Sequence, residues 1–158
     1  MSALKDSFGP DVVVLISEMI ANAYPLFPGE QFLGDALDGF DSLELTARGW
    51  QITRALRRNL PDDPERAIEI LIASLPPWEQ DARLQGMEVF RYLPFTNFVA
   101  AHGLDHFETS MRAQHELTQL FSAEYSIRAF LTHDQDRTLV VLREWTTDPS
   151  EHVRRLVS

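Results

Sequence analysis

The feature that most limits what this chain can fold into is the spacing of its apolar residues. They recur at three- and four-residue intervals along almost the whole sequence, in stretches broken by proline or glycine. No stretch sustains the alternation a half-buried strand requires. The one β-branched run, Val12 to Ile16, lies inside a better helical pattern. The expectation is therefore an all-α chain.

Local signals divide it into elements. Pro10 suits a helix first turn, and Pro25 stops that helix after a face of Val12, Leu15, Ile16, Met19, Ile20 and Ala23. A second helix is expected from about Pro28 to Asp38, with Phe32, Leu33, Ala36 and Leu37 as its stripe and Gly39 as a left-handed cap. Asp41 and Ser42 are candidate caps for a third helix reaching Asn59, where Gly49 permits a close helix contact. Asp63-Pro64-Glu65 opens a fourth, which Pro76-Pro77 ends. WEQDARLQGMEV has weak periodicity and reads as a long loop. Beyond it come a helix from near Pro94 to His102, one from Asp105 with capping-box spacing to Glu108, and three short helices between Leu120 and Ser158. The helices pair through short turns, with pairs about 30–40 residues apart, as in a HEAT-like-repeat α-solenoid whose units bury their apolar faces only by stacking. A compact irregular helical bundle is the alternative. Neither half is large enough to stand alone, so residues 1–158 are expected to form one domain.

Charge bears on partners. The formal net charge is −10, which argues against nucleic acid, but its distribution is uneven. Residues 1–47 carry eight acids against Lys5, whereas residues 48–58 carry Arg48, Arg54, Arg57 and Arg58 and no acid. Lys5 apart, every basic residue is arginine, the side chain suited to bidentate phosphate contacts. A local basic surface on an acidic body is thus compatible with the sequence, although cations near a helix C-terminus also oppose its dipole. No apolar run has the roughly 20 residues that span a bilayer, and the N-terminus lacks a signal-peptide core, so a cytoplasmic protein with no membrane partner is expected. With no cysteine, thiolate chemistry and cysteine zinc sites are excluded.

Few residues offer chemistry. His102 and His106 are separated by Gly103 and the Asp105 cap, and His115, His133 and His152 have no partner at metal-ligand spacing, so no metal is expected. Glycine-rich phosphate loops and nucleophile elbows are absent. Glu124 stands out: with Ser122 as N-cap it falls in a first helical turn, and Arg128 follows four residues later, which also makes a complete capping and ion-pair arrangement. Asp148-Pro149-Ser150-Glu151 reads as a capping box with proline at the first helical position, launching a helix with Arg154 and Arg155 off its apolar stripe. Trp145 continues the spacing of Leu139 and Leu142 and reads as core.

Longer blocks say more. LKDSFGPDVVVLISEMIANAYPLFPGEQFL near the start, GMEVFRYLPFTNFVAAHGLD, ELTQLFSAEYSIRAFL and REWTTDPSEHVRRLVS together resemble, in order and across essentially the whole chain, the AlkC-type alkylpurine DNA glycosylases. The resemblance implies a bacterial, monomeric, HEAT-like-repeat DNA-repair enzyme that excises cationic lesions such as 3-methyladenine from double-stranded DNA, with no cofactor. It further implies Glu124 as the catalytic carboxylate and Arg128, Arg154 and Arg155 as DNA-binding residues, their contacts being to backbone phosphates. The family runs on past the equivalent of HVRRLVS into segments holding a further glutamate and a tryptophan of its lesion site. Set against that pattern the chain reads as the N-terminal portion of such an enzyme, truncated after Ser158. Weak DNA binding, weak or absent excision and self-association through the broken edge are then expected of it. A non-catalytic α-solenoid that binds a protein partner is the reading from another class.

Overall fold

The computed structural model describes residues 8–77 and 90–158, and the WEQDARLQGMEV stretch lies outside them. Among the described residues the regular structure is entirely helical. In order come α1 (Pro10–Ala23), α2 (Gly29–Leu37), a 3₁₀ turn (Phe40–Ser42), α3 (Leu45–Asn59), α4 (Pro64–Ala73), α5 (Leu93–His102), α6 (Phe107–Thr118), α7 (Glu124–His133), α8 (Gln135–Trp145) and α9 (Glu151–Val157).

The helices stack in two layers. α3, α5 and α7 pack side by side in one, and α1, α4, α6 and α9 in the other. α2 joins α1 to α3, and α8 packs on both α7 and α9. Each helix meets its neighbours in the stack and little else, which is the solenoid-like arrangement expected. The core is rich in aromatic rings: Phe8, Phe32, Tyr92, Phe95, Phe98 and Phe130 are all essentially buried. Each contributes on the order of 2–3 kcal/mol through removal of apolar area from water. At the crossing of α3 and α5 a Cβ on Gly49 would lie 2.9 Å from Leu93 Cδ2, so the close contact expected of Gly49 is present. Thr53 fixes the same crossing, its buried hydroxyl lying 2.8 Å from the Gly49 carbonyl and 3.2 Å from that of Pro94.

Helix interiors follow the apolar spacing, with a small rotation in α1. Its buried face is Val13, Ile16, Ser17 and Ile20, while Val12 and Met19 flank it and Ala23 is exposed. Helix starts depart further from expectation, because capping side chains found closer partners. Ser42 donates its hydroxyl to the Gly39 carbonyl at 2.7 Å, within the 3₁₀ turn that follows the left-handed Gly39, so α3 begins only after extended Glu44. Asp105 does not cap α6: His106 holds the cap position with no side-chain bond, and the exposed Asp105 carboxylate lies 4.0 Å from His133. The Asp148 carboxylate accepts the Ser150 N–H at 2.8 Å, a local turn. α9 therefore starts at Glu151 with Pro149 outside it, and the expected capping box is not formed. The Asp63 cap is formed as expected, with the carboxylate accepting the Glu65 N–H at 3.1 Å.

Candidate functional site

Glu124 is the first residue of α7. The cap position belongs to Ala123, not Ser122, yet the Ser122 hydroxyl still accepts the Glu124 N–H at 3.3 Å. The Glu124 carboxylate receives the Arg128 guanidinium one turn along the helix. The side chains of Arg128 and Glu124 are 73% and 65% exposed, so water competes for both and the pair is worth only about 0.3–0.5 kcal/mol. The carboxylate is held in place without being committed to its partner.

Glu124 opens into a cleft of about 470 Å³ between the start of α7, the α6–α7 connection and α9. Across from it stand His152, Arg155 and Leu156, and Phe90 and Phe121 supply an apolar side. The two phenyl rings are 5.4 Å apart and tilted by 56°. The cleft thus presents a carboxylate, a guanidinium and an aromatic pair to one space, in the size range of a small-molecule pocket. Such a set can hold a cationic or partly cationic ring against the carboxylate while the guanidinium takes an adjacent anion.

The four residues singled out from the sequence are therefore divided. Glu124 and Arg155 line the cleft; Arg128 is joined to it through Glu124. Arg154 is turned away, its Nη1 donating to the Asp148 and Pro149 carbonyls at 2.6 and 3.0 Å, so that it braces the turn before α9. Asp148 makes a second brace, its Oδ2 lying 2.7 Å from His115 Nε2 on α6. Burial works against ionisation of Asp148. The His115 and Ser150 hydrogen bonds and the charges of His115 and Arg154 outweigh it and hold the carboxyl below the usual aspartate range. Trp145, buried as expected, meets the His115 ring edge-on at 5.4 Å.

Phe90, Phe121 and His152 carried no marked role in the sequence. Phe121 fits the apolar spacing of α6, but that helix ends at Thr118 and the ring faces the cleft beyond it. The His115–Asp148 pair joins positions 33 residues apart and left no local signal. Arg48, one of the acid-free group, is buried: its Nε and Nη1 donate to the Leu43 and Phe8 carbonyls, both at 2.9 Å, and it lies 4.3 Å from the centre of the Phe40 ring. His102 is partly buried, and burial together with the nearby Arg57 lowers its pKa. Among the described residues no group of three histidines and carboxylates could hold a metal ion, and no helix is long and apolar enough to cross a membrane.

No family model matches the chain. Over its full length it is 30% identical to the uncharacterized protein YhaZ of Bacillus subtilis (strain 168), of which it covers 42%. Its fold matches that of the Pseudomonas fluorescens alkylpurine DNA glycosylase AlkC bound to DNA containing an abasic site analog, with a TM-score of 0.82 and 34% identity. That match covers 98% of this chain and 41% of the glycosylase. The chain spans about two fifths of the length of either relative. In sequence and in fold, it is similar along essentially its whole length to part of an AlkC-type alkylpurine DNA glycosylase.

Proposed function

We propose that this chain acts in DNA alkylation repair, as the HEAT-like-repeat part of a bacterial cytoplasmic glycosylase that hydrolyses the N-glycosidic bond of cationic alkylated purines such as 3-methyladenine. A purine made cationic by alkylation leaves readily: the N-glycosidic bonding pair departs with the base, which becomes neutral, and positive charge develops on the sugar. A carboxylate beside that sugar stabilises the charge and accepts the proton of the attacking water, so that a base and a sugar hydroxyl are the products. Glu124 is the residue assigned this role. Arg155 holds a neighbouring phosphate from the facing wall, and Arg128, released from its exposed pair with Glu124, holds another; these contacts position the duplex without reading its sequence. Arg154, assigned to DNA on the resemblance, serves this function through the turn it braces. Residues 1–158 act as one monomeric domain in this scheme, without metal or cofactor.

The observation that carries the reading is the meeting of Glu124 and Arg155 in one cleft on a fold of this similarity. Binding tests it. The chain is titrated against two labelled duplexes, one undamaged and one with a cationic abasic-site analogue that mimics the charged sugar. Preference for the analogue, abolished by Glu124→Gln with the melting temperature unchanged, is the expected result. Equal affinity for both duplexes in the wild-type chain would remove Glu124 from the chemistry. Absence of any salt-sensitive DNA binding would favour the protein-binding scaffold instead.

A further inference from the structure

The arginines of α3 are left unused by the site described above. Arg48 is consumed inside the fold, and Arg57 donates to the Asp62 carbonyl at 2.9 Å. Arg54 and Arg58 are exposed, and among the described residues neither has an ion-pair or hydrogen-bond partner. α3 itself carries no acid from Leu45 to Asn59, on a chain of net charge −10. Trp50, Arg54 and Arg58 follow one another at four-residue intervals, so they run along one side of the helix with about 6 Å between successive positions. Trp50 is half-buried and meets Tyr125 of α7 edge-on, with ring centres 6.4 Å apart and planes at 76°. Tyr125 is 55% exposed and directly follows Glu124. Arg58, Arg54 and Trp50 thus share one side of α3, and Trp50 reaches the first turn of α7 at Tyr125, next in sequence to the cleft residue Glu124.

We infer that this side of α3 is a second DNA-contact surface, on which Arg54 and Arg58 bind successive backbone phosphates of the strand that leads into the cleft. The inference rests on the proposed function and adds to it a surface and a direction. Two exposed guanidiniums without carboxylate partners retain their full charge for an incoming anion, and arginine suits phosphate geometry. The Trp50–Tyr125 pair gives the deoxyribose and base edges between those phosphates and the cleft an aromatic rather than an acidic neighbour. Arginines at a helix C-terminus also favour the helix dipole, but that effect is confined to the last turn, and Arg54 lies more than one turn inside the end of α3.

The test is the salt dependence of duplex binding by the 158-residue chain, measured by fluorescence anisotropy at several ionic strengths. Each phosphate contact contributes about 0.9 to the slope of log K against log salt, so Arg54→Gln with Arg58→Gln should flatten it by nearly 2. Glutamine is a good helix former at exposed positions, and a matched melting curve checks the fold. Arg54→Lys with Arg58→Lys should restore the slope, and Arg66→Gln, an exposed arginine 3.7 Å from Glu69 on α4, should leave it unchanged. A wild-type chain that binds, with an unaltered slope in the double glutamine variant, would overturn this surface and leave the proposed function standing. A wild-type chain that fails to bind duplex DNA even at low salt would overturn both.

Discussion

Replacing Arg48 by methionine separates an arginine that holds the fold from those assigned to DNA. The change keeps a long unbranched side chain and removes every donor. The Phe8 carbonyl, 40 residues away, and the Leu43 carbonyl each lose a donor at 2.9 Å. A buried acceptor left without a partner costs about 1–3 kcal/mol, and loss of the cation over the Phe40 ring adds about 0.5–1 kcal/mol. Release from keeping a charge out of water offsets part of this. The net loss expected is about 2–4 kcal/mol, a large share of the roughly 5–15 kcal/mol that holds a domain together. For a chain of this size it corresponds to a fall of roughly 4–16 °C in melting temperature. Urea unfolding followed by circular dichroism measures it, and Arg48→Lys, which satisfies fewer acceptors, should fall between wild type and methionine. A loss below about 1 kcal/mol for the methionine variant would refute the placement of Arg48 as an internal clamp. The salt slope of DNA binding should not change in the folded fraction, in contrast to the Arg54 and Arg58 pair.

Two further outcomes follow from packing and protonation. Gly103→Ala should cost about 2–4 kcal/mol in thermal or urea unfolding, because its Cβ would lie 2.3 Å from Ser110 Oγ and 2.7 Å from the Val99 carbonyl. Adding Ser110→Ala should return part of that loss, since it removes the nearest clash, and strict additivity in the double-mutant cycle would count against it. Asp148 has a folded-state pKa below its ordinary value, so its contribution to stability is complete above the unfolded-state pKa near 3.8 and disappears as pH falls through the lower folded value. The stability difference between wild type and Asp148→Asn, followed by urea unfolding, should therefore shrink towards the acid end. A difference that is flat from neutral to strongly acidic pH would mean that the His115 bond does not hold the carboxylate.

How much of this was legible in the sequence depended on whether the relevant partners were close in the chain. Helix interiors were visible because apolar spacing is a property of about a dozen consecutive residues, and the Asp63-Pro64-Glu65 start was visible because its whole hydrogen-bond set lies within three positions. Other starts were misplaced by a few residues because serine and aspartate satisfy nearby backbone groups in turns as readily as at helix ends, as Ser42 and Asp148 do. Arg48 could not be told from Arg54 by composition or spacing. Among its partners are backbone carbonyls and a phenyl ring supplied by other segments, and carbonyls have no sequence signature. The cleft was half legible: Glu124 and Arg155 were named, but their meeting depends on α9 docking against α6 and α8. Arg154, next in sequence to Arg155, was indistinguishable from it until the turn carbonyls came into view.

The two faces of the cleft belong to different layers: Glu124 to α7 and Arg155 to α9. α8 packs on both helices, so the gap between them follows how the layers lean. Packed helix axes lie about 8–10 Å apart, and over such a lever a tilt of about 5° moves a side chain by nearly 1 Å. The site then behaves as a gauge of curvature: whatever bends the stack opens or narrows it, while the helices themselves stay rigid.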